Sequence, residues 1–212
     1  MSSQTQSNSQ NDFLASARNN NLCKEIRINC DEDTYLLERA TLADINKIMN
    51  LEESGFAEGI REATTTFQER ISCFPDGFWI LKLKDTERVI GYICTEIWDI
   101  SKHNTLRDIF KLNHSPKDVH THAGDTLYIS SQTIDPDFRG KRLGDAMFKT
   151  AIEHITSLYP NIKKHMLIVN EDWHTAQRIY LKSGFTVQGK IDSFFHEHGA
   201  MPRGANIMIK HI

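Results

Sequence analysis

A glycine-rich, positively charged turn joins a predicted strand to a predicted helix in "TIDPDFRGKRLGDAMFKTAIEHI", residues 133–155. Gly140 and Gly144 would let the backbone approach a ligand closely, and the first N–H groups of the helix lack partners within it. Arg139, Lys141 and Arg142 add charge beside the positive end of the helix dipole. A phosphate or pyrophosphate suits such a turn, although a solvated basic turn explains this segment alone equally well.

Two other phosphate-binding classes are excluded by the same residues. The turn lacks the Gly-Lys-Ser/Thr ending of a Walker loop, and the first third of the chain has no Gly-x-Gly-x-x-Gly after its first strand. A nucleotide triphosphatase or a Rossmann dehydrogenase is therefore disfavoured.

Composition limits what this turn belongs to. The 212 residues are 39% hydrophobic, enough for one sizeable core, and the formal net charge of -3 gives no support for a nucleic-acid or membrane partner. No apolar run could cross a bilayer and no signal peptide is evident, so we expect a cytoplasmic protein. Four irregularly spaced cysteines predict free thiols without structural zinc. Monomer and homodimer both remain open.

The chain divides into a tail and one domain. Residues 1–22 are mostly Ser, Gln and Asn, which bury too little apolar surface to order themselves, so they predict a disordered polar tail. No internal repeat or long linker interrupts the rest of the chain, and residues 31–212 are predicted to form a single domain.

Hydrophobic periodicity predicts a mixed α/β (α+β) sheet with helices on its faces. Seven strands are expected, in "TYLLERA", "GFWILKLK", "RVIGYICTEIW", "LYISSQTI", "KHMLIVN", "TVQGKI" and "ANIMIKHI". Four helices are expected at Leu42–Leu51, in "REATTTFQERISCF", at Leu143–Leu158 and in "EDWHTAQRIYLKSGF". The polar stretch from Asp99 to Asp125 is too long for a plain turn and predicts a functional loop.

The turn together with "LIVNEDWHTAQRIYLKSGF" resembles the acetyl-CoA-binding half of the GNAT superfamily of N-acetyltransferases. That family grips the coenzyme A pyrophosphate with Arg/Gln-x-x-Gly-x-Gly/Ala, followed by a strand ending in Asn, a helix with Ala and Tyr, and Gly-Phe. Here Arg142 stands where a glycine is expected, at a cost in backbone freedom. The resemblance implies the GNAT fold, with a mixed, mostly antiparallel seven-stranded sheet, and acetyl-CoA as co-substrate without a metal. It implies that the cofactor contacts Gln132, Thr133, Ile134, Arg139, Gly140, Lys141, Arg142, Leu143, Gly144, Asp145, Asn170 and Tyr180.

A looser resemblance is to the serotonin (arylalkylamine) N-acetyltransferase branch, carried by "FQERISCFPDGFWIL", "GYICTEIWD" and the long loop. The vertebrate enzyme has two histidines on its fourth strand as a proton path, and this chain has Tyr128 and Ser130 in register. The proton route and the arylalkylamine preference therefore do not carry over directly.

Acetyl transfer needs an amine that has lost its proton, a donor for the oxyanion and a proton for the departing thiolate. The resemblance assigns the thiolate's proton to Tyr180 and the oxyanion donor to a backbone N–H near Gln132 and Thr133. For the base, Glu96 is the first candidate, although a carboxylate paired with a basic residue explains it at least as well. Tyr128, through water, and Glu171 are the further candidates.

The histidines of the long loop and the chain near Phe195 flank the expected acceptor site. His103, His114, His120 and His122 have no recognised ligand spacing, which favours solvated loop histidines over a metal site. The other expected acceptor wall is "FFHEHGAMPRGAN", with Phe194, Phe195 and Met201.

The predicted function is direct transfer of an acetyl group from acetyl-CoA to a small primary amine, an arylalkylamine among the options. Acetylation of a peptide N-terminus or lysine, and a non-catalytic acyl-CoA sensor, are the alternatives.

Overall fold

An eight-stranded sheet forms the centre of the molecule, in the order β1-β2-β3-β4-β5-β6-β8-β7. The computed structural model describes residues 25–30, 33–102, 105 and 109–212. Neighbouring strands are antiparallel except β5 and β6, which run parallel. The strands are β1 Glu25–Cys30, β2 Asp33–Arg39, β3 Phe78–Leu83, β4 Val89–Trp98, β5 Thr126–Ile134, β6 Lys164–Asn170, β7 Thr186–Phe195 and β8 Arg203–His211.

The mixed, mostly antiparallel sheet is confirmed, but the expected count of seven strands was wrong. The additional strand is β1, which pairs along its length with β2 and places Ile28 in the core at 5% exposure. Its six residues include only two strongly apolar side chains, Ile26 and Ile28, so alternation there is a weak signal. β1 precedes residue 31, where the sequence placed the domain's start, and the predicted tail at residues 1–22 lies outside the described part.

Helices cover both faces of the sheet. They are α1 Ile45–Gly55, α2 Thr64–Cys73, the single turn α3 Pro116–Val119, α4 Leu143–Leu158 and α5 His174–Lys182. α1 and α2 pack Ile48, Leu51 and Phe67 on the face that carries Ile80 and Tyr92. On the opposite face, Met147 and Ala151 of α4 and Tyr180 of α5 pack with Trp79 and Ile93. The alternation of side chains along β3 and β4 thus divides the core into two layers.

Strands β5 and β6 separate along their length, and this separation positions the site. Thr126–Ile129 of β5 pairs with Lys164–Leu167 of β6, and the pairing ends there. By contrast, β4 stays paired with β5 as far as Ile134, and β8 stays paired with β6 as far as Asn170. The pairing register with β4 shifts between Cys94 and Thr95, so Ser130 is an extra, bulged residue of β5. After Ile129, no strand of the described part of the chain therefore lies on the side of β5 that faces away from β4.

The described residues between Asp99 and Asp125 form short elements and turns. They include a short 3-10 turn at Ile100–Lys102, the helix α3 and a bridge from Trp98 to His120. Among the described residues, no helix is long and apolar enough to cross a membrane. Cys73 and Cys94 are free thiols, as expected.

Candidate active site

The basic turn has the geometry of an anion site at the start of α4. Arg142 is the N-cap of α4, and its φ of 59° and ψ of 11° lie in the left-handed region. The GNAT motif has a glycine at this position, which adopts that region more easily. A non-glycine residue there costs roughly 1–2 kcal/mol, which the surrounding structure must offset. No described side chain caps the helix, so its first N–H groups remain for a ligand. Gly140 also has a positive φ, of 83°.

This turn opens on a cleft between the end of β5, the start of α4 and helix α5. Two adjoining cavities of about 440 and 630 Å³ make up the cleft and share Ile134, Arg139, Gly144, Thr175 and Ile179. The Arg139 Nε donates to the Ile134 carbonyl at 3.0 Å, which ties the turn to the strand. The predicted cofactor residues that line the cleft are Gln132, Thr133, Ile134, Arg139, Gly140, Arg142, Leu143, Gly144, Asp145 and Tyr180.

Two of the predicted cofactor residues lie outside this lining. The Lys141 ammonium stands 5.4 Å from the centroid of the Phe138 ring, on the exposed side of the turn. Asn170 is 1% exposed, and its Oδ1 accepts from the Asp172 N–H at 3.0 Å, so it shapes the connection from β6 to α5. Arg178 and Lys182, which sequence reasoning did not select, contribute positive charge to the cleft.

Tyr180 lies where the cofactor cleft meets a second cavity, and it lines both. Its hydroxyl oxygen accepts from Gln132 Nε2 at 3.0 Å, so the phenolic proton is available for another acceptor. Burial raises the pKa of Tyr180 to about 12, which keeps the phenol protonated at neutral pH. The Gln132 Oε1 is buried without a partner among the described residues, so this junction also offers a hydrogen-bond acceptor.

The second cavity, of about 70 Å³, occupies the separation between β5 and β6. Its walls come from Tyr128 to Gln132 on β5, Leu167 to Val169 on β6, Glu52 on α1 and part of the long loop. Phe56, Gln132, Trp173 and Tyr180 border both this cavity and the cleft. A group held here therefore lies next to whatever the cleft binds.

Glu52 is a buried carboxylate in this cavity that sequence reasoning missed. It is 1% exposed, its Oε1 accepts from the Glu62 N–H at 2.8 Å, and its Oε2 accepts from the Tyr92 hydroxyl. Burial raises the pKa of Glu52 to about 7, against the lowering effect of these hydrogen bonds. The available signal was an acidic residue on the apolar face of a helix, four residues after Ile48.

Glu96, the first candidate for the base, is enclosed by donors. Its oxygens accept from Arg70 Nε at 3.0 Å, Trp98 Nε1 at 2.8 Å and His114 Nε2 at 2.9 Å. Burial favours the protonated acid, but the hydrogen bond from His114 and the charge of Arg70 outweigh it and lower the pKa of Glu96. The carboxylate is 0% exposed and does not line the cavity. This is the paired arrangement that the sequence left as the alternative, and such a carboxylate is a poor proton acceptor.

Arg70 joins Glu96 to Glu62 in a buried ion network. Both terminal nitrogens of Arg70 contact the Glu62 carboxylate, with Nη2 to Oε1 at 2.8 Å, and the side chains are 1% and 6% exposed. His114 completes the network: burial lowers its pKa, but the hydrogen bond to Glu96 outweighs burial, so the pKa is raised overall. Glu62, Arg70 and His114 also line the cavity. His114 was among the loop histidines expected to flank the acceptor site, whereas Glu62 and Arg70 were not selected from the sequence.

The remaining base candidates lie in different surroundings. Tyr128 lines the cavity with its ring 4.0 Å from that of Trp98, and burial with the nearby Glu62 raises its pKa well above the usual range. Glu171 is away from the cavity lining, where its oxygens contact Lys190 Nζ and the Gly204 N–H, both at 2.6 Å. The hydrogen bond from Lys190 lowers the pKa of Glu171.

The prediction of solvated loop histidines was wrong for two of the four. His114 is held by Glu96, and His120 stacks on Phe74 with ring centroids 4.5 Å apart and accepts from the Ile97 N–H. His122 is exposed and His103 lies outside the described residues. Within the described ranges, no three His, Cys, Asp or Glu residues are grouped to hold a metal ion.

Both expected acceptor walls contribute to the cavity. Lys111, Leu112 and His114 of the long loop line it, together with Phe195. Met201 is 75% exposed and does not line it.

Comparisons with known proteins agree with this architecture. The profile described as "Acetyltransferase (GNAT) family" matches residues 45–185. The spermine/spermidine N(1)-acetyltransferase of Bacillus subtilis (strain 168) is 36% identical over 59 residues, 28% of this chain and 38% of that protein. The chain thus matches about two fifths of the length of these curated relatives.

Solved structures share the fold at low identity. The loading GNATL domain of CurA from Lyngbya majuscula has a TM-score of 0.71 and 16% identity, covering 84% of this chain and 97% of that one. The ribosomal-protein-S18-alanine N-acetyltransferase from Escherichia coli has a TM-score of 0.60 and 15% identity, covering 84% and 94%.

The separated strands, the turn at the start of α4 and the tyrosine at the junction lie within the segment that the family profile matches. The match over residues 45–185 identifies the family: the chain belongs to the GNAT acetyltransferases, as the sequence indicated.

Proposed function

We propose that the protein transfers the acetyl group of acetyl-CoA directly to a small primary amine, in a complex that holds both substrates. The observation that carries this proposal is the junction at Tyr180, where the large cleft meets a small cavity containing Glu52. The donor thioester would lie at the junction, its pyrophosphate at the turn from Arg139 to Gly144, and the amine in the cavity. The pantetheine arm would pair with the open side of β5 at Gln132 to Ile134.

In the proposed reaction, Glu52 takes a proton from the amine, and the amine nitrogen attacks the thioester carbonyl carbon. A backbone N–H of β5 near Gln132 and Thr133 stabilises the oxyanion that forms. The carbon–sulfur bond then breaks and the thiolate receives the phenolic proton of Tyr180, while the acetylated nitrogen gives its surplus proton to the Tyr180 phenolate, so the step ends with free CoA thiol, the N-acetylated product and a protonated Tyr180. Glu52 replaces Glu96 as the proposed base because it lines the cavity and its pKa lies near 7.

The class of acceptor is the finer part of this proposal. The small volume of the cavity and the side chains of Leu112 and Phe195 in its walls support a small amine over a peptide N-terminus or lysine. The likeness to the serotonin N-acetyltransferase branch rests on sequence motifs alone, and the curated relatives from Bacillus subtilis act on spermine or spermidine by their names.

The test combines cofactor binding with turnover. We expect calorimetric titration to detect acetyl-CoA binding that Arg139→Ala weakens, and a thiol-release assay to detect CoA only when an amine is present. Tyr180→Phe is expected to retain acetyl-CoA binding while kcat falls about 100-fold, because the thiolate loses its acid. Tyr159→Phe, which removes a hydroxyl bonded to Asp76 outside the site, is the matched control.

Three results would contradict the proposal at different points. Binding without release from any amine would indicate a protein acceptor or an acyl-CoA sensor. Absence of binding would reject the assignment of the cleft. Equal kcat in Tyr180→Phe and Tyr159→Phe would remove Tyr180 from the chemistry.

A further inference from the structure

We infer that the acceptor is a monoamine with an apolar body, and that the site selects against diamines and polyamines. This inference rests on the proposed function and names its substrate class. It also separates this chain from the polyamine acetyltransferases to which it is 36% identical over 59 residues.

The first argument is the use of charge in the cavity. Its charged lining residues are Glu52, Glu62, Arg70, Lys111 and His114. The Glu62 carboxylate is held by both terminal nitrogens of Arg70, and Glu96 behind the wall is held by Arg70 and His114. These two carboxylates already have cationic partners within the protein, so they offer little to a substrate ammonium.

Glu52 is the carboxylate that remains for the substrate. Its hydrogen-bond partners are the Tyr92 hydroxyl and the Glu62 N–H, both of them neutral donors. One carboxylate matches one substrate nitrogen, and in the proposed reaction that nitrogen is the one to be acetylated. A second ammonium on the same substrate would find among the lining residues only Glu62, whose carboxylate is already paired with Arg70.

The second argument is the apolar wall beside Glu52. Phe56 and Trp173 have ring centroids 5.7 Å apart, and Trp173 and Phe195 have centroids 5.5 Å apart. Ile60 and Leu112 extend this wall, and all five residues line the cavity. An aryl or alkyl group buried here gains apolar contact, whereas an ammonium in the same place loses its hydration.

The third argument is the charge of Lys111. Lys111 is an exposed residue that lines the cavity, so its flexible side chain can bring a positive charge to the point where the cavity opens to solvent. The distal ammonium of a diamine that reached out of the cavity would approach this lysine and be repelled.

The test compares monoamines with amines that carry one or two further positive charges. In the thiol-release assay we expect hexylamine to exceed 1,6-diaminohexane by about 100-fold in kcat/KM, and 2-phenylethylamine to exceed spermidine by at least as much. Lys111→Met should raise the diamine-to-monoamine ratio of kcat/KM about 10-fold, because the repulsion is removed. Lys117→Met is the control and should leave the ratio unchanged, since Lys117 is an exposed residue of the same loop that pairs with Glu69.

Turnover of 1,6-diaminohexane or spermidine as fast as hexylamine would overturn the inference while leaving the proposed function in place. An unchanged ratio in Lys111→Met would overturn the part assigned to Lys111. If acetyl-CoA binds and no amine releases thiol, the proposed function itself fails, and the inference fails with it.

Discussion

Glu52 and Glu96 are buried carboxylates whose pKa values are shifted in opposite directions, and their surroundings decide which of them can accept a proton. Glu96 contacts a guanidinium, an imidazole and an indole N–H, so its pKa is lowered despite full burial. Glu52 is buried with neutral donors, and its pKa rises to about 7. Neither the residue type nor its place on a strand or helix reveals this difference, because it depends on partners that are distant in sequence.

Replacing Glu52 tests the base through two pH profiles. A base must be ionised, so wild-type kcat/KM should rise with pH through about 7, and Glu52→Gln should lose that rise together with about 100-fold in kcat/KM at pH 8. Because folding raises this pKa, the carboxyl stabilises the fold below its ordinary pKa and loses that contribution as pH rises through 7. Glu52→Gln should therefore gain stability relative to wild type between pH 5 and pH 8, by about 3 kcal/mol in urea unfolding.

Glu53→Gln is the matched control, since Glu53 is the next residue and is exposed. Equal effects of the two substitutions on both profiles would remove Glu52 from the proposed mechanism.

The separation of β5 from β6 is the element-scale feature on which the site depends. Beyond Ile129, β5 keeps β4 on one side and has an open side lined by the cavity and the cleft. The bulge at Ser130 re-aims the strand at this point. The sequence identified "LYISSQTI" as a strand and Gln132 to Ile134 as a cofactor segment, but not where its pairing with β6 stops.

Hydrogen exchange tests whether bound acetyl-CoA forms hydrogen bonds with the open side of β5. In the free protein, the amides of Ser130 to Ile134 that point away from β4 should exchange faster than those of Thr126 to Ile129. Acetyl-CoA should slow alternate amides in Ser130 to Ile134 and leave Thr126 to Ile129 unchanged, since the pantetheine arm would occupy the place of a strand. Protection confined to the α4 turn would contradict pairing with β5.

At the scale of the whole molecule, β1 shows that the sheet extends past the domain start predicted from the sequence. β1 covers β2, which would otherwise be an edge strand, and contributes Ile28 to the core. The polar composition that predicts disorder for residues 1–22 ends just before this strand. We propose that the tail is dispensable for folding and that β1 is not.

Two truncated chains distinguish these segments. A chain beginning at residue 23 should unfold at the same urea concentration as the full chain, because the removed tail has little apolar surface to bury. A chain beginning at residue 31 should lose about 2–3 kcal/mol, since Ile28 is no longer buried, and should aggregate more readily through the exposed edge of β2. Equal stability of both chains would instead confirm residue 31 as the domain's start.

The sequence by itself determined the basic turn with its flanking strand and helix, and the tertiary structure decided which residues form the cavity beside the cleft. The strand, basic turn and helix of residues 133–155 are contiguous, so the spacing of their glycines, charges and apolar residues carries the signal for anion binding. Even the left-handed conformation of Arg142 agrees with the glycine expected there. The cavity beside it brings together Glu52, Glu62, Arg70 and His114 from α1, the chain before α2, α2 and the long loop. Their charges and pKa values arise from burial and from contacts across long sequence separations, which no local pattern encodes.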